Sequence, residues 1–259
     1  MNTLRISLLG KLQIQHAIRG AIKFDARRAQ ELFCYLLLNR QKLHQREKIA
    51  GLMWAESSTT QSKRNLRQTL WHLQSILNAD CEPSNILLVE NGWIGVNLDA
   101  DFWLDVAALE NAYAALEAVG DRSLTSQLAT LLDQAVKLYQ GDLFEGCYQD
   151  WCIYERERLQ NMYLTILERL LDYNEEQKEY ERSINYATQI LRYDHAREQT
   201  YRQLMRLYYQ MGNRGAAIHQ YELCTSVLRE ELGVERLQYS LSYLQEQITQ
   251  IILSLNTAS

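Results

Sequence analysis

The sequence holds very little that breaks a helix: one proline, Pro83, and eleven glycines in 259 residues. Such scarcity predicts a mainly α-helical chain. No run reaches the roughly 18 consecutive apolar residues of a membrane span. The N-terminus also lacks the apolar stretch and small-residue cleavage site of a secretory leader. The chain is therefore expected in the cytoplasm, with no membrane partner. The five cysteines are Cys34, Cys81, Cys147, Cys152 and Cys224. Their number is odd, they include no C-x-x-C pair, and Cys147 and Cys152 have no second pair to complete a zinc set, so buried reduced thiols are expected. Catalytic motifs are missing as well. There is no phosphate-cradling G-x-x-x-x-G-K and no G-x-S-x-G elbow. The five histidines (His16, His44, His72, His195, His219) are scattered, away from carboxylates at metal-ligand spacing. Neither an enzyme nor a cofactor or metal is expected.

What is present points to two parts. With 47% hydrophobic residues the chain can build packed cores, and its length suggests two of them. Residues 1–100 carry 13 Lys+Arg against 8 Asp+Glu, a net of +5, whereas residues 101–259 carry 14 against 24, a net of −10. A basic half joined to an acidic half suits a polyanion-binding module attached to a protein-binding one. The expected division is 1–100 and 101–259.

The first hundred residues open with two alternating runs, Leu4–Leu8 and Leu12–Gln15, punctuated by Gly10-Lys11, and a third short strand is expected over Ala21–Phe24. Asp25 offers an N-cap for a helix over Ala26–Asn39, with Ala29, Leu32, Phe33, Leu36 and Leu37 at helical spacing. A second helix is expected over Gln45–Trp54, with Ile49, Leu52 and Met53 apolar. Ser57-Ser58-Thr59-Thr60 reads as turn and cap. The third helix, Gln61–Leu77, has an apolar stripe of Leu66, Leu70, Leu73 and Leu77. Its other face carries Lys63, Arg64, Arg67, Gln68, Trp71 and His72. Two short apolar runs flank Glu90-Asn91-Gly92, a hairpin signal. The order β-β-β-α-α-α-β-β is that of a winged helix-turn-helix, whose last helix enters the major groove.

From Leu104 onward the chain reads as helical. Residues 34 apart match: Leu170 with Leu204, Leu171 with Met205, Ile184 with Ile218. That period belongs to tetratricopeptide repeats, which stack helix pairs into a superhelix. A degenerate repeat over Leu132–Leu143 and a capping helix over Leu241–Ile252 complete the expected array.

Particular strings carry a family resemblance: Leu9-Gly10, the helix Arg28–Leu38, Leu52-Met53-Trp54, and Asn65-Leu66-Arg67 with Leu70 and Leu73. Gly141-Asp142-Leu143, Trp151, Glu155-Arg156-Glu157-Arg158-Leu159, Arg197-Glu198 and Glu230-Glu231-Leu232-Gly233-Val234 follow. With these the chain resembles the Streptomyces antibiotic regulatory protein type of transcription factor. The resemblance implies an OmpR-like winged helix followed by a bacterial transcriptional activator domain built from tetratricopeptide-like repeats. It departs from the family at Gln74, at the wing sequence Gly92-Trp93-Ile94-Gly95 and at Arg236; the first two remove positive charge from the expected DNA surface.

As a DNA reader, the third helix would use Arg64, Asn65, Gln68 and His72 on base edges, and Lys63, Arg67 and Trp71 on backbone or flank. Lys23, Arg27 and Arg28 would touch the flanking backbone. The same residues also read as an ordinary solvated face. The net of +5 is modest, so a homodimer or helper partner is expected to support DNA binding, with RNA polymerase or another transcription factor as protein partner. A second reading is a receptor for a cyclic dinucleotide such as cyclic di-GMP. In it Trp71 stacks a base beside Arg64 and Arg67, Arg169-Leu170-Leu171-Asp172 fits R-x-x-D, and Arg158 and Arg197 face a ligand anion. Arg–Glu pairs that fix the angle between repeat helices are the alternative role for Arg158 and Arg197. A third reading is a repeat adaptor that does not bind DNA.

Overall fold

The computed structural model describes residues 4–78, 85–120 and 122–232. Two compact units emerge, one of residues 1–118 and 131–163, the other of 119–130 and 164–259. They do not coincide with a division at residue 100, because the chain beyond 100 supplies a strand and three helical segments to the first unit.

Leu4–Ser7 (β1), Gln13–His16 (β2) and Gly20–Ile22 (β3) form an antiparallel meander, and Phe102–Leu104 (β7) adds to β1 in parallel, giving the order β3-β2-β1-β7. Ile6 lies opposite Ile14, and both are buried while Arg5 and Gln15 face out. That alternation is what makes these runs strands. The third strand ends at Ile22 and does not reach Phe24. His16 accepts hydrogen bonds at Nδ1 from the Ile18 and Arg19 amides, closing the β2–β3 turn.

Arg27–Leu38 (α1), Arg46–Met53 (α2) and Thr59–Leu77 (α3) follow, with a two-residue strand His44–Gln45 (β4) before α2. The N-cap of α1 is Ala26, which gives no side-chain cap, so the capping role read for Asp25 is not realised. In α2, Ile49, Ala50 and Met53 are buried, whereas Leu52 is exposed. α3 starts two residues earlier than its apolar stripe implies, because Ser58 Oγ accepts from the Gln61 amide and caps it. Leu66, Leu70, Leu73 and Leu77 are all buried, against α1 and α2. Each contributes about 1.5–3 kcal/mol of transfer free energy. Arg19 donates to the carbonyls of Ile76 and Leu77, satisfying the C-terminal end of α3.

Leu87–Glu90 (β5) and Trp93–Val96 (β6) form the hairpin read from Asn91-Gly92, and β4 pairs with β6. Asn91 and Gly92 have φ of 46° and 83°, the left-handed pair that a two-residue hairpin turn needs. The linker around Pro83 lies outside the described residues.

Asp105–Val119 (α4), Ser126–Val136 (α5) and Asp150–Glu176 (α6) come next. Asp105 is buried, and its carboxylate accepts from the amides of Leu8 at 2.8 Å, Leu9 at 2.9 Å and Val106 at 2.7 Å. Burial nevertheless holds its pKa above the ordinary carboxylate value. Residues 142–145 run back beside Leu8–Gly10, with the Phe144 amide donating to Leu8 O and Gly10 to Asp142 O. The guanidinium of Arg158 on α6 meets Glu110 of α4, which also receives Arg40. The winged helix therefore shares one body with the first helices after it.

In the other unit, Tyr180–Tyr193 (α7), Glu198–Gln210 (α8) and Arg214–Leu232 (α9) pack in succession. Leu170, Leu171, Leu204 and Met205 are all buried, as the 34-residue spacing predicts; Ile218 instead is half exposed. Tyr201, Met205, Cys224 and Leu228 form a core cluster. The capping helix expected over Leu241–Ile252 and the end of the Glu230–Val234 string lie outside the described residues. No helix among those described is long and apolar enough to cross a membrane.

Candidate nucleic-acid interface

The leucine stripe of α3 fixes which face turns outward. Lys63, Arg64, Arg67, Gln68 and Trp71 are exposed, and Asn65 and His72 are half-buried. Arg64, Arg67 or Gln68, and Trp71 are one turn apart on the same side. Trp71 is 70% exposed. Arg64 and Arg67 have no ion-pair or hydrogen-bond partner among the described residues. Lys63 Nζ lies 2.5 Å from Glu47 Oε1 on α2. The hydrogen bond and charge of Lys63 hold the Glu47 carboxyl below its ordinary value. Asn65 Oδ1 accepts from Gln61 Nε2 at 2.8 Å, and the Nε2 of His72 is buried without a hydrogen-bond partner. Of the residues read as base readers, Arg64 and Gln68 are presented freely, Asn65 is engaged, and His72 is turned partly inward.

Two hollows border this face. One, of about 480 Å³, is lined by Gln45, Arg46, Glu47, Lys63, Arg67 and Trp93 and by the wing glycine Gly92. Its walls are the start of α2, the first half of α3 and the hairpin turn, which the Arg46 amide ties down by donating to Gly92 O at 2.9 Å. Arg46 and Trp93 were not evident as site residues in the sequence; Trp93 following an Asn-Gly turn was the available signal. The other, of about 320 Å³, lies between α1 and α3 beside Ala26, Ala29, Gln68, Thr69, Trp71 and His72.

The flanking cations differ. Lys23 is exposed. Arg27 and Arg28 both bind the buried Glu31, at 3.2 and 2.8 Å, and the Arg27 guanidinium sits 4.5 Å from the Phe144 ring centroid. They are tethered rather than free.

The residues read as a ligand set in the helical part are each engaged locally. Arg158 pairs with Glu110 and Glu155, both at 2.7 Å. Arg197 pairs with Glu168 and not with its neighbour Glu198, which takes Arg202. Arg169 donates to the carbonyl of Arg122, and Asp172 accepts from Gln203. Desolvation on partial burial raises the Asp172 carboxyl despite that bond. Among the described residues no group of three or more His, Cys, Asp or Glu is arranged to hold a metal.

Comparison with known proteins bears on this arrangement. Residues 104–249 match the family described as bacterial transcriptional activator domain. The chain is 25% identical over 219 residues to Regulatory protein AfsR of Streptomyces coelicolor, covering 85% of this chain and 22% of that protein. It is 25% identical over 252 residues to Regulatory protein AfsR of Streptomyces griseus, covering 95% of this chain and 24% of that protein. It thus spans less than a quarter of the length of either relative. Among solved structures it resembles Mycobacterium tuberculosis EmbR in complex with a low affinity phosphopeptide. The TM-score is 0.74 at 14% identity, covering 95% of this chain and 66% of the other. That likeness shows the fold: a winged helix followed by a helical array.

Proposed function

The chain belongs to the bacterial transcriptional activator domain family, and from that premise we propose that it is a transcription regulator that grips duplex DNA with the polar face of α3. The observation that carries this reading is the state of the α3 cations. Arg64 and Arg67 stand exposed without partners among the described residues, one turn apart, beside an exposed indole. An arginine that neutralises a phosphate releases condensed counterions, and one that reaches a guanine edge makes a bidentate pair. A helix of 19 residues is about 28 Å long, ample to lie in a major groove roughly 12 Å wide. The hollow shared by Arg46, Lys63, Arg67 and the wing turn suits a flanking phosphate. Lys23 supplements it, whereas Arg27 and Arg28 act mainly in the fold. The modest charge favours two copies on repeated half-sites. The acidic helical array is the part that meets RNA polymerase or another regulator. No reaction is assigned to the chain.

Selection of duplexes from a random pool tests this. The expected result is enrichment of a sequence with repeated half-sites. No enrichment over unrelated duplex at low salt contradicts the proposal and leaves a protein adaptor.

Trp71 favours a second reading at the same face. An exposed indole with two free arginines suits a purine ring and its phosphates, the chemistry of cyclic di-GMP, with Gln68 and Thr69 in the adjoining hollow. Calorimetric titration with cyclic di-GMP decides it: saturable heat lost in Trp71→Ala is expected, and no heat rejects it.

A further inference from the structure

A row of side chains crosses the outer face of the N-terminal sheet. The register sets Trp103 of β7 opposite Arg5 of β1, Arg5 opposite Gln15 of β2, and Gln15 opposite Ala21 of β3. Leu4, Ile6 and Ile14, next along the strands, are buried, so alternation turns the row outward. Arg5, Gln15 and Ala21 are exposed, and Trp103 is half-buried. The Arg5 guanidinium lies over the Trp103 ring, 3.9 Å from its centroid, and meets no carboxylate among the described residues. Beside this pair is a hollow of about 550 Å³, lined also by Gln15, His16, Ala17 and Ala21.

We propose that this hollow is an effector site for a small monocarboxylic acid with an apolar body. Its volume falls within the roughly 300–1,000 Å³ of small-molecule sites. A guanidinium held against an indole is already ordered, and its planar fork takes a carboxylate through two N–H donors. Arg5 is the one Arg or Lys among the described lining residues. One such cation matches one negative charge and does not suit a polyphosphate. The Gln15 carboxamide supplies a further donor, and Trp103, Ala17 and Ala21 give the apolar body a wall.

The wall of the hollow is also joined to α3. Buried His16 accepts at Nδ1 from the amides of Ile18 and Arg19, at 3.2 and 3.4 Å, and so shapes the turn that follows β2. From that turn Arg19 donates to the carbonyls of Ile76 and Leu77, both at 3.0 Å, at the C-terminal end of α3. An acid seated against Arg5, His16 and Ala17 therefore bears on the turn whose arginine clamps the last residues of α3. Only the consequence for DNA rests on the proposed role of α3; occupancy and its effect on the helix end are read without DNA.

The isotope-labelled full chain gives five indole N–H resonances in nuclear magnetic resonance, one for each tryptophan, and Trp103→Phe identifies that of Trp103. Benzoate and octanoate are the probes, with neutral benzamide and inorganic phosphate as controls. At least one acid is expected to move the Trp103 resonance saturably, with a midpoint below about 1 mM. Arg5→Gln weakens this at least about tenfold, and both controls bind at least about tenfold more weakly. On saturation, amide hydrogen exchange at residues 76–78 changes at least about threefold. In Arg19→Ala the Trp103 resonance still responds and the exchange does not. No saturable movement with either acid, or an equal response to benzamide or phosphate, overturns the site. Saturation that leaves wild-type exchange at residues 76–78 unchanged overturns the coupling. The wild-type measurements decide both points even if Arg19→Ala fails to fold.

Discussion

The arginines of α3 and those of α8 look alike in the sequence and differ in the folded chain. Arg64 and Arg67 follow helical spacing, and so do Arg202 and Arg206. All four are exposed. Arg202 is paired with Glu198, and Arg206 with Glu175 at 2.7 Å. Arg64 and Arg67 have no such partners among the described residues. Charge supply accounts for the difference. The segment beyond residue 100 has ten more acids than bases, so its arginines find carboxylates, whereas the first hundred residues have a surplus of five cations. A surplus cation on a rigid helix is free to meet an anion from outside. One already paired must first give up its partner, which raises the cost of binding.

The strongest way to break the comparison is to remove the free set. Arg64→Ala with Arg67→Ala is expected to weaken DNA binding by about a hundredfold or more, at about 1–3 kcal/mol for each base-reading arginine, while circular dichroism and melting stay unchanged. Fluorescence anisotropy with the selected duplex measures it.

Pairing as structure is tested next at Glu110, which accepts both Arg40 and Arg158. Glu110→Gln takes the counter-charge from the largely buried Arg40 guanidinium and leaves Arg158 with Glu155 alone. It is expected to cost about 1–3 kcal/mol in urea unfolding; no loss would make the pairing incidental.

A third test uses pH. Asp105 spends its carboxylate on amides, and burial raises its folded pKa above the unfolded value. Its contribution to stability is therefore fully present below the unfolded pKa and declines as pH rises through the folded one. Relative to Asp105→Asn, the wild type should lose stability across that interval just above the ordinary carboxylate value. Parallel curves would contradict this.

Smaller effects sharpen the contrast. Glu47→Gln turns Lys63 from a paired cation into a free one and should tighten DNA binding by about threefold. Arg202→Ala should change DNA affinity by less than about twofold and stability by no more than about 1 kcal/mol. A large loss of DNA binding in that variant would erase the distinction between the two sets.

Legibility in the sequence followed the range of the interactions. The buried stripe and exposed face of α3 were readable, because Leu66, Leu70, Leu73 and Leu77 are set by local periodicity. The wing was readable, because Asn91-Gly92 has one conformational use. Leu170, Leu171, Leu204 and Met205 were readable as buried positions of helices. Phe102–Leu104 was not: three residues carry no period, and the parallel partner β1 is about a hundred residues away. That missed strand is why the first unit extends past residue 100. The partners of Arg158 and Arg197 were hidden too, because Glu110 and Glu168 come from other helices, and spacing reveals only neighbours three or four residues off. Asp25 failed as a cap because helix entry was decided one residue later, at Ala26.

The most direct test of the account is the salt dependence of duplex binding in the wild type and in the Arg64→Ala, Arg67→Ala double variant. The open-face account predicts a log–log slope that is shallower by about one for each of these arginines that contacts a phosphate, and by less for one that reads a base. Equal slopes and equal affinities would mean that nucleic acid, if bound, is held elsewhere.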